Sequence, residues 1–504
     1  MADRIAPLEM RPGQFRRAGH ALVDRIADFL DSLPRGPVTP GDSPADVRAL
    51  LGGGGLPLTG TDPERLLSEA ADLLFRHSLF NGHPRFMGYI TSSAAPIGAL
   101  ADMLASAVNP NVGGWELSPV ASEIEAETVR WIAELVGYAS DCGGLLVSGG
   151  NMANFVCFLA GRRAMTGEEP RRTGLAGGSA SRLRVYVSAG THTWIQKAAD
   201  LFGLGTDAVR WIATDSHQRM RVAALRAQIR DDLAAGDRPI MVVGAAGTVG
   251  TGAIDPLREL AQLCHEQGLW FHIDGAYGAP AAVLPGAPDD LRALALGDSL
   301  AVDPHKWLYA PLEAGCALVR NPRTLPDTFG YTPAYYHFDT EGEEPPINYY
   351  ELGLQNSRGF RALKVWLGLR QAGREGYARM IDDDCRLAEA LFRAVEAHPE
   401  LEALTLGLSI ATFRFVPADL DRSAPEVEDY LNTLNEALLG RLKLGGELFV
   451  TNAVLDGRFV LRACIVNFRT TEADVAAIPA IVAGAGRAVD AKLRPDLLRA
   501  PATP

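Results

Sequence analysis

Apolar positions change their period along this chain. Over residues 15–33 they recur at helical spacing (Ala21, Leu22, Ile26, Phe29, Leu30, Leu33), which predicts an amphipathic helix. Residues 34–63 are rich in Pro and Gly, with four glycines running from Gly52 to Gly55, and read as an extended connector. Helical spacing resumes over 63–80. From about residue 84, helical stretches at 96–107, 122–136, 154–165 and 257–267 alternate with short β-rich runs bounded by glycine. The runs lie at 145–147, 185–187, 240–243, 270–273 and 317–319, with a further apolar run at 299–302. Continuous apolar runs mark strands covered on both faces, so the pattern predicts a doubly wound α/β domain with a largely parallel sheet. After Gly359 a helical segment (Leu363, Val365, Trp366, Leu369) leads to a smaller lobe. That lobe has helices at 382–398 and 425–442 and strands at 409–416 and 459–467. The expected organisation is an N-terminal helical segment at 1–83, a large α/β domain at 84–377 and a small α+β domain at 378–504. Helices at 1–83 with little core of their own are expected to lean on a second subunit.

Composition narrows the class. The 504 residues are 47% hydrophobic and 22% charged, enough for a sizeable core, and the net charge is -13. Acids are spread along the chain and no basic block interleaved with aromatics appears, so nucleic acid is not an expected partner. Six cysteines are scattered without CxxC or metal-ligand spacing, which predicts neither a disulfide framework nor a metal site. No apolar run approaches spanning length and residues 1–14 lack a leader-like apolar core, so no membrane is expected and a cytoplasmic location is.

Ligands of doubly wound sheets bind beyond the carboxyl ends of the strands, so the residues after each run are the ones to read. After 145–147 come Ser148, Gly149, Gly150 and Asn151, then a helical pattern; this is either an ordinary tight turn or a phosphate cradle of free backbone N–H groups. His192 follows 185–187 and is either structural or an aromatic partner for a ligand. Asp274 ends the run at 270–273, where a carboxylate needs a cation, from an Arg or from a protonated ring nitrogen. Lys306 stands between two apolar runs in Asp303-Pro304-His305-Lys306-Trp307, and lysine is rarely buried unless paired or chemically used. Together these are the parts pyridoxal phosphate requires: Lys306 for its aldehyde, Asp274 for its pyridine nitrogen, His192 against its ring, and Gly149, Gly150 and Asn151 for its phosphate.

At these residues the chain resembles the group II pyridoxal-phosphate-dependent amino acid decarboxylases, above all the aromatic-L-amino-acid decarboxylase branch. The likeness runs through His83-Pro84-Arg85-Phe86, Ser118-Pro119, Ser148-Gly149-Gly150, Gly247-Thr248, Asp274-Gly275-Ala276-Tyr277, Pro304-His305-Lys306-Trp307, Phe360-Arg361 and Val460-Leu461-Arg462. It implies an α/β architecture of the PLP-dependent transferase fold type I and a homodimer with active sites at the subunit interface. It implies that Lys306 is the Schiff-base lysine, with His305 near cofactor and substrate carboxylate and Ala276 packed beneath the ring. Thr248 and Asp303 fall among the cofactor-binding positions. Tyr89, Ile90, Trp115 and Arg462 fall among the substrate-binding ones. Tyr349 matches the mobile-loop tyrosine that returns a proton to Cα, at the end of a loop at about 328–348 expected to close over the site. The sequence departs from that branch at Asp303 (often Asn), at Val249 (often Thr) and at Gly113 and Gly114, where smaller residues before Trp115 are expected to widen the pocket.

The expected function is therefore decarboxylation of an L-amino acid to its amine and CO2, the substrate being aromatic (tryptophan, tyrosine or dopa). The alternatives are an acidic or aliphatic substrate, with Arg85 near the pocket, or an aldehyde-forming oxidative decarboxylation on the same fold. A non-catalytic binding module is the alternative of another class; retention of Lys306 and Asp274 speaks against it.

Overall fold

The computed structural model describes residues 6–175, 182–331, 346–423 and 426–498. Seven strands form the large sheet: β1 (Gly143–Val147), β2 (Leu183–Ser188), β3 (Val209–Ile212), β4 (Arg238–Ala245), β5 (Trp270–Asp274), β6 (Ser299–Val302) and β7 (Gly315–Val319), in the order β1-β7-β6-β5-β4-β2-β3. Strands β3, β2, β4, β5 and β6 are mutually parallel. The run at 317–319 departs from the parallel pattern, since β7 lies antiparallel to both β6 and β1. Strand β1 consequently points the same way as β6. The turns after β1, β2, β4, β5 and β6 therefore share one edge of the sheet.

Both faces of this sheet are covered, as the continuous apolar runs require. Helix Gly150–Thr166 lays Val156, Cys157 and Phe158 against one face, next to Val185, Val243, Ala301 and Ala317. On the other face Ile132, Leu257 and Leu260 pack with Leu146, Val242, Phe271, Ile273 and Leu300. A second core lies around an antiparallel sheet of β8 (Leu401–Gly407), β9 (Ile410–Phe415), β10 (Thr451–Leu455) and β11 (Arg458–Cys464), ordered β10-β11-β9-β8. Helices Val427–Gly445 and Glu472–Leu493 cover it with Leu434, Leu438, Ile478 and Val482.

The long helix Ala362–Glu396 joins the two cores: Val365 and Leu369 enter the first, and Leu391 and Val395 the second. It is interrupted at Gly373, whose φ of 64° and ψ of 172° fall outside helical values and suit a residue without Cβ. The stretch expected as a separate helix at 382–398 is the continuation of this element. At the other end, helices Pro12–Ser32 and Pro63–Arg76 pair through stacked Phe29 and Phe75, 4.5 Å apart, and an Arg25–Asp72 ion pair at 2.7 Å. The connector between them is not extended throughout: Ser43 and Asp46 form a capping box that starts a short helix, Pro44–Leu50. Among the described residues no helix is long and apolar enough to cross a membrane.

One buried carboxyl ties the long helix to the strand-end turn. Asp384 Oδ2 accepts from Trp307 Nε1 at 2.8 Å and from the Tyr309 hydroxyl at 2.6 Å. Burial pushes the Asp384 carboxyl up from 3.8 to about 7, against the lowering effect of those two donors. A folded-state value above the unfolded one means that this group stabilises the fold fully below pH 4, and that its contribution is lost as pH rises towards 7. Asp384→Asn keeps an acceptor and removes the titration. Its Tm relative to wild type is expected to rise between pH 5 and pH 8, by an amount on the order of 3 kcal/mol in stability. Thermal melts of both proteins across that range check this, and a pH-independent difference would refute it.

Candidate active site

The strand ends open on a cavity of about 620 Å3. Tyr89, Ile90, Gly149, Gly150, Asn151, His192, Thr248, Asp274, Ala276, Asp303, His305 and Lys306, twelve of the fifteen residues expected at the site, all line it. Each arrives by a simple local route. Gly149 turns β1 into helix Gly150–Thr166 with φ 126°, and a Cβ on it would sit 3.0 Å from His305 Cε1. At Gly150 a Cβ would lie 2.5 Å from Asp303 Oδ2, so this turn admits only glycine and leaves helix N–H groups uncovered.

Lys306 and Asp303 form an ion pair, Nζ to Oδ2 at 3.0 Å, and the lysine side chain keeps 22% of its exposure towards the cavity. Asp303 is 1% exposed, and its Oδ1 is buried without a hydrogen-bond partner among the described residues. His305 Nε2 stands 3.7 Å from Asp303 Oδ2, while its Nδ1 accepts from the Ala314 N–H at 3.2 Å. Burial holds the His305 imidazole below its ordinary value, although Asp303 acts to raise it. His192 is also held down by burial, with Asp274 opposing. Its Nδ1 accepts from the Trp194 backbone N–H at 3.2 Å, so the neutral ring carries its hydrogen on Nε2.

Among the described residues Asp274 receives only uncharged donors: Trp194 Nε1 to Oδ2 at 2.7 Å and the Ala276 N–H to Oδ1 at 3.2 Å. No Arg among the described residues pairs with it. The carboxylate retains lone pairs for a cationic ring nitrogen. Thr248 lines the cavity with its hydroxyl 3.0 Å from Thr251 Oγ1 and accepting from the Ala253 N–H at 3.2 Å.

Three expected site residues are not brought into this cavity. Arg462 is buried beneath Tyr89, donating from Nη1 to the Tyr89 carbonyl at 2.9 Å and to Thr451 Oγ1 at 3.1 Å. It props the Tyr89 turn, where φ is 53°, and does not line the cavity. Trp115 donates to Glu123 Oε1 at 2.7 Å outside the cavity. Tyr349 is 1% exposed, under the Arg358 guanidinium at 4.7 Å, with its hydroxyl 3.4 Å from the Ser122 carbonyl. Buried there, it does not line the cavity of its own chain. Gly113 does not widen the pocket either; a Cβ there would lie 2.1 Å from the Asn356 carbonyl oxygen, so glycine answers a packing need. Most of the loop expected to close over the site, residues 332–345, lies outside the described residues. Trp194 is the residue that sequence reading passed over, since an aromatic opening a helix (Trp194–Leu201) reads as core.

A glycine cradle, an anion lacking a cation and an accessible lysine in one cavity fit pyridoxal phosphate, and the fold with this site defines a pyridoxal-phosphate-dependent enzyme. The family model of the pyridoxal-dependent decarboxylase conserved domain matches residues 56–415, and the chain belongs to this family. It is 33% identical over 465 residues to an aromatic-L-amino-acid decarboxylase of Bacillus atrophaeus, covering 92% of this chain and 94% of that one. It is 29% identical to a phenylacetaldehyde synthase of a Rosa hybrid cultivar, covering 92% and 91%. The fold superposes on Oryza sativa TDC solved with PLP and tryptamine with a TM-score of 0.88, at 25% identity, covering 96% of this chain and 99% of that one.

Gly150→Ala tests the cradle. The added methyl must displace Asp303, and overpacking of this kind costs about 1–3 kcal/mol. Titration of the cofactor-free protein with pyridoxal phosphate, followed by visible absorbance, is expected to show affinity weakened about tenfold or more. Unchanged affinity would place the phosphate elsewhere.

Proposed function

We propose that this decarboxylase acts on an aromatic L-amino acid and releases the amine and CO2. The observation that carries the substrate class is the cation inventory of the cavity. Among the described residues lining it there is no arginine, and Lys306 is the sole lysine. An acidic side chain would need a cation to replace its lost hydration. Tyr89, Ile90, Met152 and Phe155 instead offer apolar surface suited to a ring. The similarity to relatives named as aromatic decarboxylases agrees with this.

In this reading Lys306 holds the cofactor aldehyde, Asp274 its ring nitrogen and His192 its ring face, with Gly149, Gly150 and Asn151 around its phosphate. When bound, the cofactor supplies the electron sink for the pair left at Cα as CO2 departs. The protein's own part is to exclude water, to orient the carboxylate that leaves, and to return a proton. His192, neutral with its hydrogen on Nε2, and the Lys306 amine both line the cavity and are able to do the last. Tyr349, the residue expected to return a proton to Cα, is buried outside the cavity, which keeps aldehyde formation open as a second reading alongside the similarity to phenylacetaldehyde synthase.

A homodimer completes the proposal. Helix Pro96–Val108 turns Leu100, Met103, Leu104 and Val108 outwards on one face, 47–69% exposed, and the apolar face calls for a cover. A second copy there would account for the half-buried Trp115 lying outside its own chain's cavity, serving its partner's site instead. Residues 1–83 would serve as the dimerisation segment ahead of the large (84–377) and small (378–504) domains. Six cysteines with no disulfide agree with a reducing, cytoplasmic setting.

Incubation with each standard amino acid and dopa, with CO2 and amine quantified, is expected to single out tryptophan, tyrosine or dopa, and Lys306→Ala is expected to abolish turnover. Release from glutamate or aspartate alone would overturn the substrate class, and aldehyde in place of amine would select the second reading. Leu104→Glu is expected to halve the mass in solution from twice 53.9 kDa; an unchanged mass would remove this face from the interface.

A further inference from the structure

Asp274 is fixed by a residue that also fixes His192. The indole of Trp194 donates to Asp274 Oδ2 at 2.7 Å, and the backbone N–H of the same residue donates to His192 Nδ1 at 3.2 Å. Trp194 is fully buried, and its ring cannot turn away. It meets the His272 ring edge-on at 5.6 Å and 88°, and the Phe158 ring at 6.3 Å and 80°. His272 is itself immobilised, Nε2 donating to Asn154 Oδ1 at 2.7 Å and Nδ1 accepting from Ser299 Oγ at 2.9 Å. Burial pushes the His272 imidazole down to about 4, so it remains an uncharged support at neutral pH.

We propose that Trp194 is the positioning residue of the cofactor site. Its N–H occupies one lone pair of Asp274 and sets the plane of the carboxylate, leaving the remaining lone pairs for the ring nitrogen. Its backbone sets the tautomer and tilt of His192, so the groups at the edge and at the face of the cofactor ring keep a fixed relation. The inference rests on the reading that pyridoxal phosphate lies with its ring nitrogen at Asp274.

Trp194→Phe removes the N–H while keeping an aromatic ring and the backbone donor. In titrations of cofactor-free protein with pyridoxal phosphate, its affinity is expected to fall about tenfold, the scale of a hydrogen bond to a charged group. The pH midpoint of the visible absorbance band is expected to move. Both effects should vanish when the substitution is made in Asp274→Asn, because the indole then has no anion to hold. Trp194→His, which retains an N–H donor, is expected to recover affinity, and it carries the same comparison should the phenylalanine variant not fold. Equal losses for Trp194→Phe in the wild-type and Asp274→Asn backgrounds would overturn the inference and leave packing as the role of Trp194. No loss in Asp274→Asn alone would overturn instead the reading of Asp274 on which it stands.

Discussion

Charge at the end of an apolar strand is the constraint around which this molecule is arranged. Strand β6 is buried at every position, and β5 is buried over Phe271, His272 and Ile273, yet these strands deliver Asp274, Asp303, His305 and Lys306. Each would be expensive there alone. The compensation is local and differs from one group to the next. Asp303 has Lys306, Asp274 has the indole of Trp194 and the Ala276 N–H, and His305 gives up its charge under burial. The parallel run of the strands makes this economical. It gathers their carboxyl ends on one edge, beside the start of helix Gly150–Thr166, whose uncovered N–H groups favour an anion.

The lysine-bearing turn is held from behind as firmly as its charges are held in front. Trp307 stacks on Tyr277 at 4.9 Å and 16°, and shares the Asp384 carboxyl with Tyr309. Tyr277 in turn exchanges bonds with Ser409, its hydroxyl 2.7 Å from Ser409 Oγ and accepting from the Ser409 N–H at 3.0 Å. Lys306 is thus flanked by rings anchored in the long helix and in the β8–β9 turn of the small sheet. A displacement of either core would be felt at the position of the amine, and close packing of this kind transmits strain rather than absorbing it.

This division between front and back explains what could be read from the sequence. The central strands were legible because burial on both faces writes a continuous apolar run. Strands β3, β8 and β10 were not, and all three are sheet edges, where Asn452 and Val454 or Arg210 and Trp211 mix exposed with covered positions. Helix Glu472–Leu493 was hidden by Pro479 and by its many small residues. The residues contributed by strand ends were legible for the same reason as the strands: their positions follow from topology. Tyr349, Trp115 and Arg462 sit far along the chain from any strand end of the large sheet, and their orientation depends on tertiary packing that no spacing encodes. Trp194 escaped because its chemistry lies in a contact, 80 residues distant, with Asp274.

Asp303 gains its meaning from the same contacts. Beside a glycine cradle its carboxylate has the wrong sign for a phosphate neighbour, and nothing in the sequence relieves that. The geometry joins it to the lysine instead: Oδ2 meets Nζ at 3.0 Å, with His305 Nε2 at 3.7 Å from the same oxygen. An anion paired in this way no longer presents a full charge to the cradle, and the pairing holds the Lys306 amine at the cavity floor, where it must be to react. Lys306 and Asp303 therefore form one unit, in which the lysine lowers the charge beside the cradle and the carboxylate sets where the lysine stands. Neither residue can be understood from its own side chain alone.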